Sequence, residues 1–180
     1  FFMFAIVLAA LDRSGSVLPI LCAMAVHELA HIVMMLACGG QVRRLTLRFA
    51  DLQIAASGLG YRQELLSALA GPLVNLICGA AFCMQRPSFA AYSLMLGIYN
   101  LLPVWPLDGG RVLRCALLAR LPITQAEHIS EIVSFAACAV LLLIGVFLTF
   151  FRKSGLWPLG TAAYLTVRLL MLARRTDTVQ

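Results

Sequence analysis

Charge is what this chain has least of. Asp, Glu, Lys and Arg make up 12% of its 180 residues, and 62% are hydrophobic. Soluble domains carry about 25% charged and about 45–50% apolar residues, so a water-soluble enzyme is excluded and an integral membrane protein is expected. The net charge of +6 is modest for so apolar a chain. Arginines near helix ends set membrane topology, so the basic excess does not point to nucleic acid. No CxxC pair occurs among Cys22, Cys38, Cys78, Cys83, Cys115 and Cys138, and five of these lie in apolar runs. A thiol there behaves as a small hydrophobe, which argues against a disulfide or thiolate-metal framework. There is no internal repeat and no low-complexity tract, and the length suits one domain over residues 1–180.

What is present is a series of hydrophobic runs parted by short polar breaks. They predict an all-α polytopic membrane protein with about six transmembrane helices. The expected spans are Phe1–Leu11, Val17–Cys38, Leu65–Met84, Ser88–Leu102, Ile132–Phe151 and Leu156–Ala173. The first is too short to cross alone and lacks the basic start and cleavage site of a signal peptide, so it reads as an incomplete helix. The fourth ends at Pro103, which cannot continue a helix without losing a backbone hydrogen bond. A broken membrane helix is tolerated where the freed backbone faces protein or a water-filled cavity, so the break hints at a site. Between the second and third spans, alternation over Val42–Ile54 predicts a short β segment at the membrane surface. After the fourth, Arg111, Arg114 and Arg120 mark an amphipathic helix at the interface. Nine basic residues (Arg43, Arg44, Arg48, Arg62, Arg111, Arg114, Arg120, Arg174, Arg175) fall on one side, against four (Arg13, Arg86, Arg152, Lys153) on the other. The first side is expected to be cytoplasmic.

Against this background the second span holds a polar cluster, His27-Glu28-Leu29-Ala30-His31. A charge at the bilayer centre costs about 3 kcal/mol on insertion scales. Residues four apart on a helix lie about 40° apart around the axis, one turn removed. Two imidazoles so placed can grip one metal ion, and HExxH is a zinc pattern for that reason. Glu28 points about 100° away from His27, beside the metal, where it can act as general base on a water whose pKa zinc lowers to about 7. The bland alternative is two hydrogen-bonded histidines holding helices together, an expensive way to pack a membrane protein.

A catalytic zinc takes three protein ligands and one open position. His128 lies in a polar stretch and reads as a solvated loop residue. Most acidic residues sit in loops or at helix ends. Asp108 differs: it follows the broken fourth span in "NLLPVWPLDGGR", and the Gly-Gly after it lets the chain turn back. It is the expected third ligand, the alternative being a turn-forming Asp. Asn75 and Asn100 stand in apolar context. Each could bridge helices by hydrogen bonding, or contact an extended substrate backbone or an oxyanion.

Together these residues resemble the site-2 protease family of intramembrane zinc metalloproteases. The resemblance is carried by His27-Glu28-Leu29-Ala30-His31, by Gly71-Pro72-Leu73-Val74-Asn75, and by Asn100-Leu101-Leu102-Pro103 through Asp108-Gly109-Gly110-Arg111. It covers residues 21–114, and the form of the last motif is most similar to the bacterial stage IV sporulation proteases, which activate a membrane-associated sigma-factor precursor. The resemblance implies His27, His31 and Asp108 as Zn²⁺ ligands, Glu28 as catalytic base, and Asn100 and Pro103 as substrate contacts, with Asn75 a further candidate. It implies a multi-pass protein of the bacterial inner membrane whose site opens to the cytoplasm. The expected partners are the lipid bilayer, a single-pass or membrane-associated protein substrate, and membrane regulatory proteins, with no nucleic acid. The sporulation proteases carry a C-terminal CBS domain, whereas this chain ends soon after its last hydrophobic run, so a single protease domain is expected.

A substrate helix hides its peptide bonds, and each one freed in lipid costs several kcal/mol. The Val42–Ile54 segment could offer replacement hydrogen bonds by taking the substrate as another strand. A non-proteolytic metal-binding protein or metal transporter is the competing reading. Transporters also place His and Glu in membrane helices, but they usually show paired broken helices from internal repeats.

Overall fold

The strand and helix ends explain how the chain enters its first well-packed helices. The computed structural model describes residues 17–48, 51–57, 60–151 and 157–177. The elements are α1 (Val17–Ala37), β1 (Gln41–Arg48), β2 (Asp51–Ser57), α2 (Tyr61–Ala81), α3 (Pro87–Asn100), α4 (Asp108–Leu118), α5 (Ile123–Phe151) and α6 (Trp157–Asp177). Helix α1 closes with Gly39 at φ 80°, a conformation glycine adopts without a Cβ penalty. The Gly40 N–H then reaches back to the Met35 carbonyl at 3.0 Å, a Schellman closure. At the start of α2, the Gln63 side chain accepts from the Gly60 N–H at 2.8 Å and donates to the Cys38 carbonyl at 3.0 Å. One glutamine thereby caps α2 and ties it to the end of α1. This cap is why α2 begins at Tyr61 rather than at the expected Leu65. Between these helices, β1 and β2 pair antiparallel, Gln41 opposite Ser57 and Arg48 opposite Asp51, with a register shift between Val42 and Arg44.

The chain forms two compact units, Phe1–Leu101 and Leu102–Gln180. In the first, α1, α2 and α3 pack against one another. Small residues let them approach closely. A Cβ on Gly79 would come within 2.6 Å of Leu94 Cδ2, and one on Gly97 within 2.9 Å of the Pro72 carbonyl. In the second, α5 packs against α4 and α6.

Three helices among the described residues are long and apolar enough to cross a membrane: Val17–Ala37, Tyr61–Ala81 and Ile123–Phe150. A 21-residue helix rises about 32 Å, matching a hydrocarbon core of about 30 Å. The six expected spans are not all of that kind. Helix α3 has 14 residues, and within α6 the described stretch Leu159–Met171 is apolar. The expected span Phe1–Leu11 lies outside the described residues. Leu101 and Leu102, expected in the fourth span, form a turn instead, because Pro103 cannot donate to a continuing helix. Helix α5 starts at Ile123, nine residues before the expected Ile132, so His128 is on a helix and exposed, not in a loop. The polar run "TQAEHISE" hides a helical period: Ala126, Ser130, Ser134 and Cys138, four residues apart, are all buried.

Candidate metal centre

Helix α1 is built inside out. Ala23, His27, His31 and Met35 form a buried stripe at four-residue spacing, while Leu29, Val33 and Leu36 are exposed. In lipid an exposed leucine face is at home, and the imidazoles are kept for the protein interior. His27 is 5% and His31 8% exposed. Their rings meet edge-to-face, and their Nε2 atoms stand 3.1 Å apart. Two nitrogens bound about 2.05 Å from a tetrahedral zinc stand about 3.3 Å from each other. The pair therefore has nearly the spacing of one edge of a zinc tetrahedron.

Helix α2 shapes this pair from a single face. Ser67, Gly71, Asn75 and Gly79 recur every four residues and are buried. The Ser67 carbonyl accepts from His31 Nδ1 at 2.7 Å. A carbonyl only accepts, so His31 Nδ1 holds the proton and its Nε2 keeps a lone pair, the form a metal requires. Ser67 Oγ donates back to the His31 carbonyl at 3.4 Å. One turn on, a Cβ at Gly71 would fall 2.4 Å from His31 Nε2 and 2.9 Å from His27 Cε1. Only glycine leaves the imidazole edges clear. Asn75, one turn further and wholly buried, places Nδ2 3.2 Å from His27 Nδ1. Two buried imidazoles with convergent nitrogens, in a cradle that a methyl would fill, are a donor set that fits zinc. Glu28 is half-buried on α1 beside them. Asn100 is buried at the end of α3 and donates from Nδ2 to the Leu96 carbonyl at 3.0 Å.

In the second unit, Asp108 is the first residue of α4 and is 9% exposed. A carboxylate there is favoured by the helix dipole. Arg111 Nη1 lies 3.8 Å from its Oδ1. The expected Gly-Gly turn is absent, since Gly109 and Gly110 form the first turn of α4 itself. The glycine serves close approach: a Cβ on Gly110 would sit 2.6 Å from both the Val104 carbonyl carbon and the Trp105 nitrogen. The Pro103–Leu107 loop, with its cis Trp105–Pro106 bond, lies over the helix start. Ser134 of α5 holds that loop. Its Oγ accepts from the Trp105 N–H at 3.1 Å and donates to the Ser130 carbonyl at 2.8 Å. Farther along, Arg114 makes a bidentate pair with Glu127.

Residues 86–144, which contain Asn100, Pro103 and Asp108, match the family model of peptidase family M50. Over those residues the chain is similar to that family. It is 26% identical over 133 residues to zinc metalloprotease MJ0392 of Methanocaldococcus jannaschii, covering 67% of this chain and 39% of that protein. It is 28% identical over 138 residues to stage IV sporulation protein FB of Bacillus subtilis, covering 69% of this chain and 47% of that one. The chain thus spans less than half the length of either curated relative. The solved site-2 protease from Methanocaldococcus jannaschii superposes with a TM-score of 0.68 at 20% identity, covering 94% of this chain and 84% of that chain. The fold is that of a site-2 protease.

The structure brings His27, His31 and Asn75 into contact in the first unit, with Asn100 in the same unit. Asp108 and Pro103 belong to the second. Ser67 and Ser134 are residues that motif reading passes over, and Gly71 stands in the Gly71–Asn75 motif without a role of its own. Their signal was small residues every four positions, Ser67-Gly71-Asn75-Gly79 and Ala126-Ser130-Ser134-Cys138, on otherwise bulky helices.

Proposed function

We propose that this chain is an intramembrane zinc metalloprotease that hydrolyses a peptide bond in or next to a transmembrane segment of a membrane protein. The observation that carries the reading is the convergence of two buried imidazole Nε2 atoms, 3.1 Å apart, beside Glu28 in a membrane-length helix. His27, His31 and Asp108, all buried, would hold the metal. Zinc, when bound, supplies a Lewis acid and lowers the pKa of a bound water to about 7. Glu28 takes the proton of the attacking water and passes it to the amide nitrogen that leaves. Asn100 and the Pro103 loop hold the unwound substrate backbone. An edge of the β1–β2 ribbon takes that backbone as an added strand, giving its freed amides new partners.

The basic residues on one side support a site opening to the cytoplasm of a bacterial inner membrane. A membrane-associated sigma-factor precursor is one candidate substrate to test. Single-pass candidates co-expressed with the wild type and with Glu28→Gln decide the matter. Cleavage should occur with the wild type alone, with equal zinc content in both proteins. Cleavage that persists in Glu28→Gln would point instead to a non-proteolytic metal protein in a host that supplies the protease.

A further inference from the structure

The polar beginning of α5 has no task in the mechanism above, yet it continues in one 29-residue helix with the apolar part. Helix α4, in the same compact unit, has a matching need. It has 11 residues, too few to be stable by itself. Asp108 stands at its weakest end: Leu107 gives no side-chain cap, and Gly109 and Gly110, poor helix formers, fill the first turn. Support for that end has to come from a neighbouring element, and α5 supplies it at two places. Ser134 Oγ accepts from the Trp105 N–H at 3.1 Å, in the loop that leads into Asp108. Farther down, Glu127 takes one edge of the Arg114 guanidinium. Arg114 Nε donates to Oε1 at 3.0 Å and to Oε2 at 3.1 Å, and Nη2 donates to Oε1 as well. Glu127 and Ser134 lie two turns apart on one face of α5, about 10 Å along its axis. Asp108 and Arg114 lie about 9 Å apart along α4. The two spacings match, with the helices running in opposite directions. Cys115 and Leu118 of α4, and Ala126 and Ser130 of α5, are buried.

We propose that Arg114 and Glu127 are positioning residues for Asp108. Together with Ser134, their ion pair mounts α4 on the polar beginning of α5 at two points and so sets the direction in which the Asp108 carboxylate is presented. This rests on the reading of Asp108 as a metal ligand. A rod held at one point can pivot, and a second hold removes the pivot. The pair suits the task by its geometry rather than its energy. Both side chains are partly exposed, Arg114 at 31% and Glu127 at 45%, and ion pairs so placed add little to stability. A two-pronged guanidinium–carboxylate contact nevertheless fixes direction as well as distance. The early start of α5 at Ile123 thereby gains a purpose: it carries Glu127 far enough beyond the Ser134 hold to reach Arg114.

The test compares the wild type, Glu127→Gln, Arg114→Gln and the double variant, each as the full chain in detergent, with Zn²⁺ and Co²⁺ as probes. Glutamine keeps the helix propensity and removes the ion pair. Thermal unfolding should stay close to that of the wild type. With no metal added, hydrogen exchange at the α4 amides should be faster in each variant, while the amides of α1 and α2 are unchanged. Zinc affinity, read by chelator competition, should fall about 10-fold in each single variant. It should fall no further in the double variant, since both single changes remove the same contact. The visible bands of bound Co²⁺ should shift, which a loss of stability alone would not cause. Wild-type zinc affinity in both single variants would overturn the inference, and so would losses that add in the double variant. A wild type that binds neither ion would overturn the zinc reading instead, and the exchange measured without metal would still decide whether the pair mounts α4.

Discussion

Gly71→Ala is the substitution with the largest gap between expectation from sequence and expectation from structure. In a helix interior, alanine is ordinarily better than glycine by about 1 kcal/mol. Here the added methyl would lie 2.4 Å from His31 Nε2, 2.7 Å from its Cε1 and 2.9 Å from His27 Cε1. Ordinary carbon contacts begin near 3.5 Å, so the imidazole or the helix must shift by about 1 Å. If the ring tips, its 2.7 Å bond to the Ser67 carbonyl is lost. If α2 withdraws, both the Ser67 and the Asn75 contacts lengthen together, and α3 is in the way, since Gly97 already packs on the Pro72 carbonyl. Overpacking costs about 1–3 kcal/mol and each hydrogen bond about 1 kcal/mol, which outweighs the helix gain. The variant should therefore be destabilised by about 1–3 kcal/mol and bind zinc about 10- to 100-fold more weakly. Thermal unfolding in detergent and chelator competition measure the two effects. A Gly71→Ala protein that is more stable than the wild type and holds zinc as tightly would refute the cradle.

The remaining outcomes concern the second unit and the base. Asp108→Asn should weaken zinc binding by at least 10-fold while leaving the secondary structure intact by circular dichroism, because an amide is a poor replacement for an anionic ligand. Ser134→Ala removes the acceptor of the Trp105 N–H and should cost about 1–2 kcal/mol in thermal unfolding, with cleavage falling further because the loop leads into Asp108. Glu28→Gln should abolish turnover with the metal content unchanged.

Much of the candidate site is legible in the sequence because its chemistry is local there. HELAH declares itself on any apolar helix, and so does a Pro-broken span followed by Asp108. What sequence hid was whatever depended on an opposing helix. Gly109 and Gly110 read as turn-makers, yet they lie in α4, where the bare Cα of Gly110 lets the Val104–Trp105 backbone settle over it. The polar run before Ile132 reads as a loop, while buried Ala126 and Ser130 keep the helical beat of α5 beneath it. Asn75 was visible as an unusual residue, but its hydrogen bond to His27 depends on how α1 and α2 pack, which no linear spacing reports. Of the six expected spans, three are helices of membrane-crossing length among the described residues, and α3 is an apolar run of only 14 residues.

Ser67, Gly71 and Asn75 occupy successive turns of one rigid rod. Their three services to the imidazoles, an acceptor, a clearance and an amide, are therefore locked in phase. Sliding α2 along its axis by a single residue's rise, about 1.5 Å, would misalign all three at once. The histidine pair behaves like a tumbler under a three-toothed key, engaged as a whole or released as a whole.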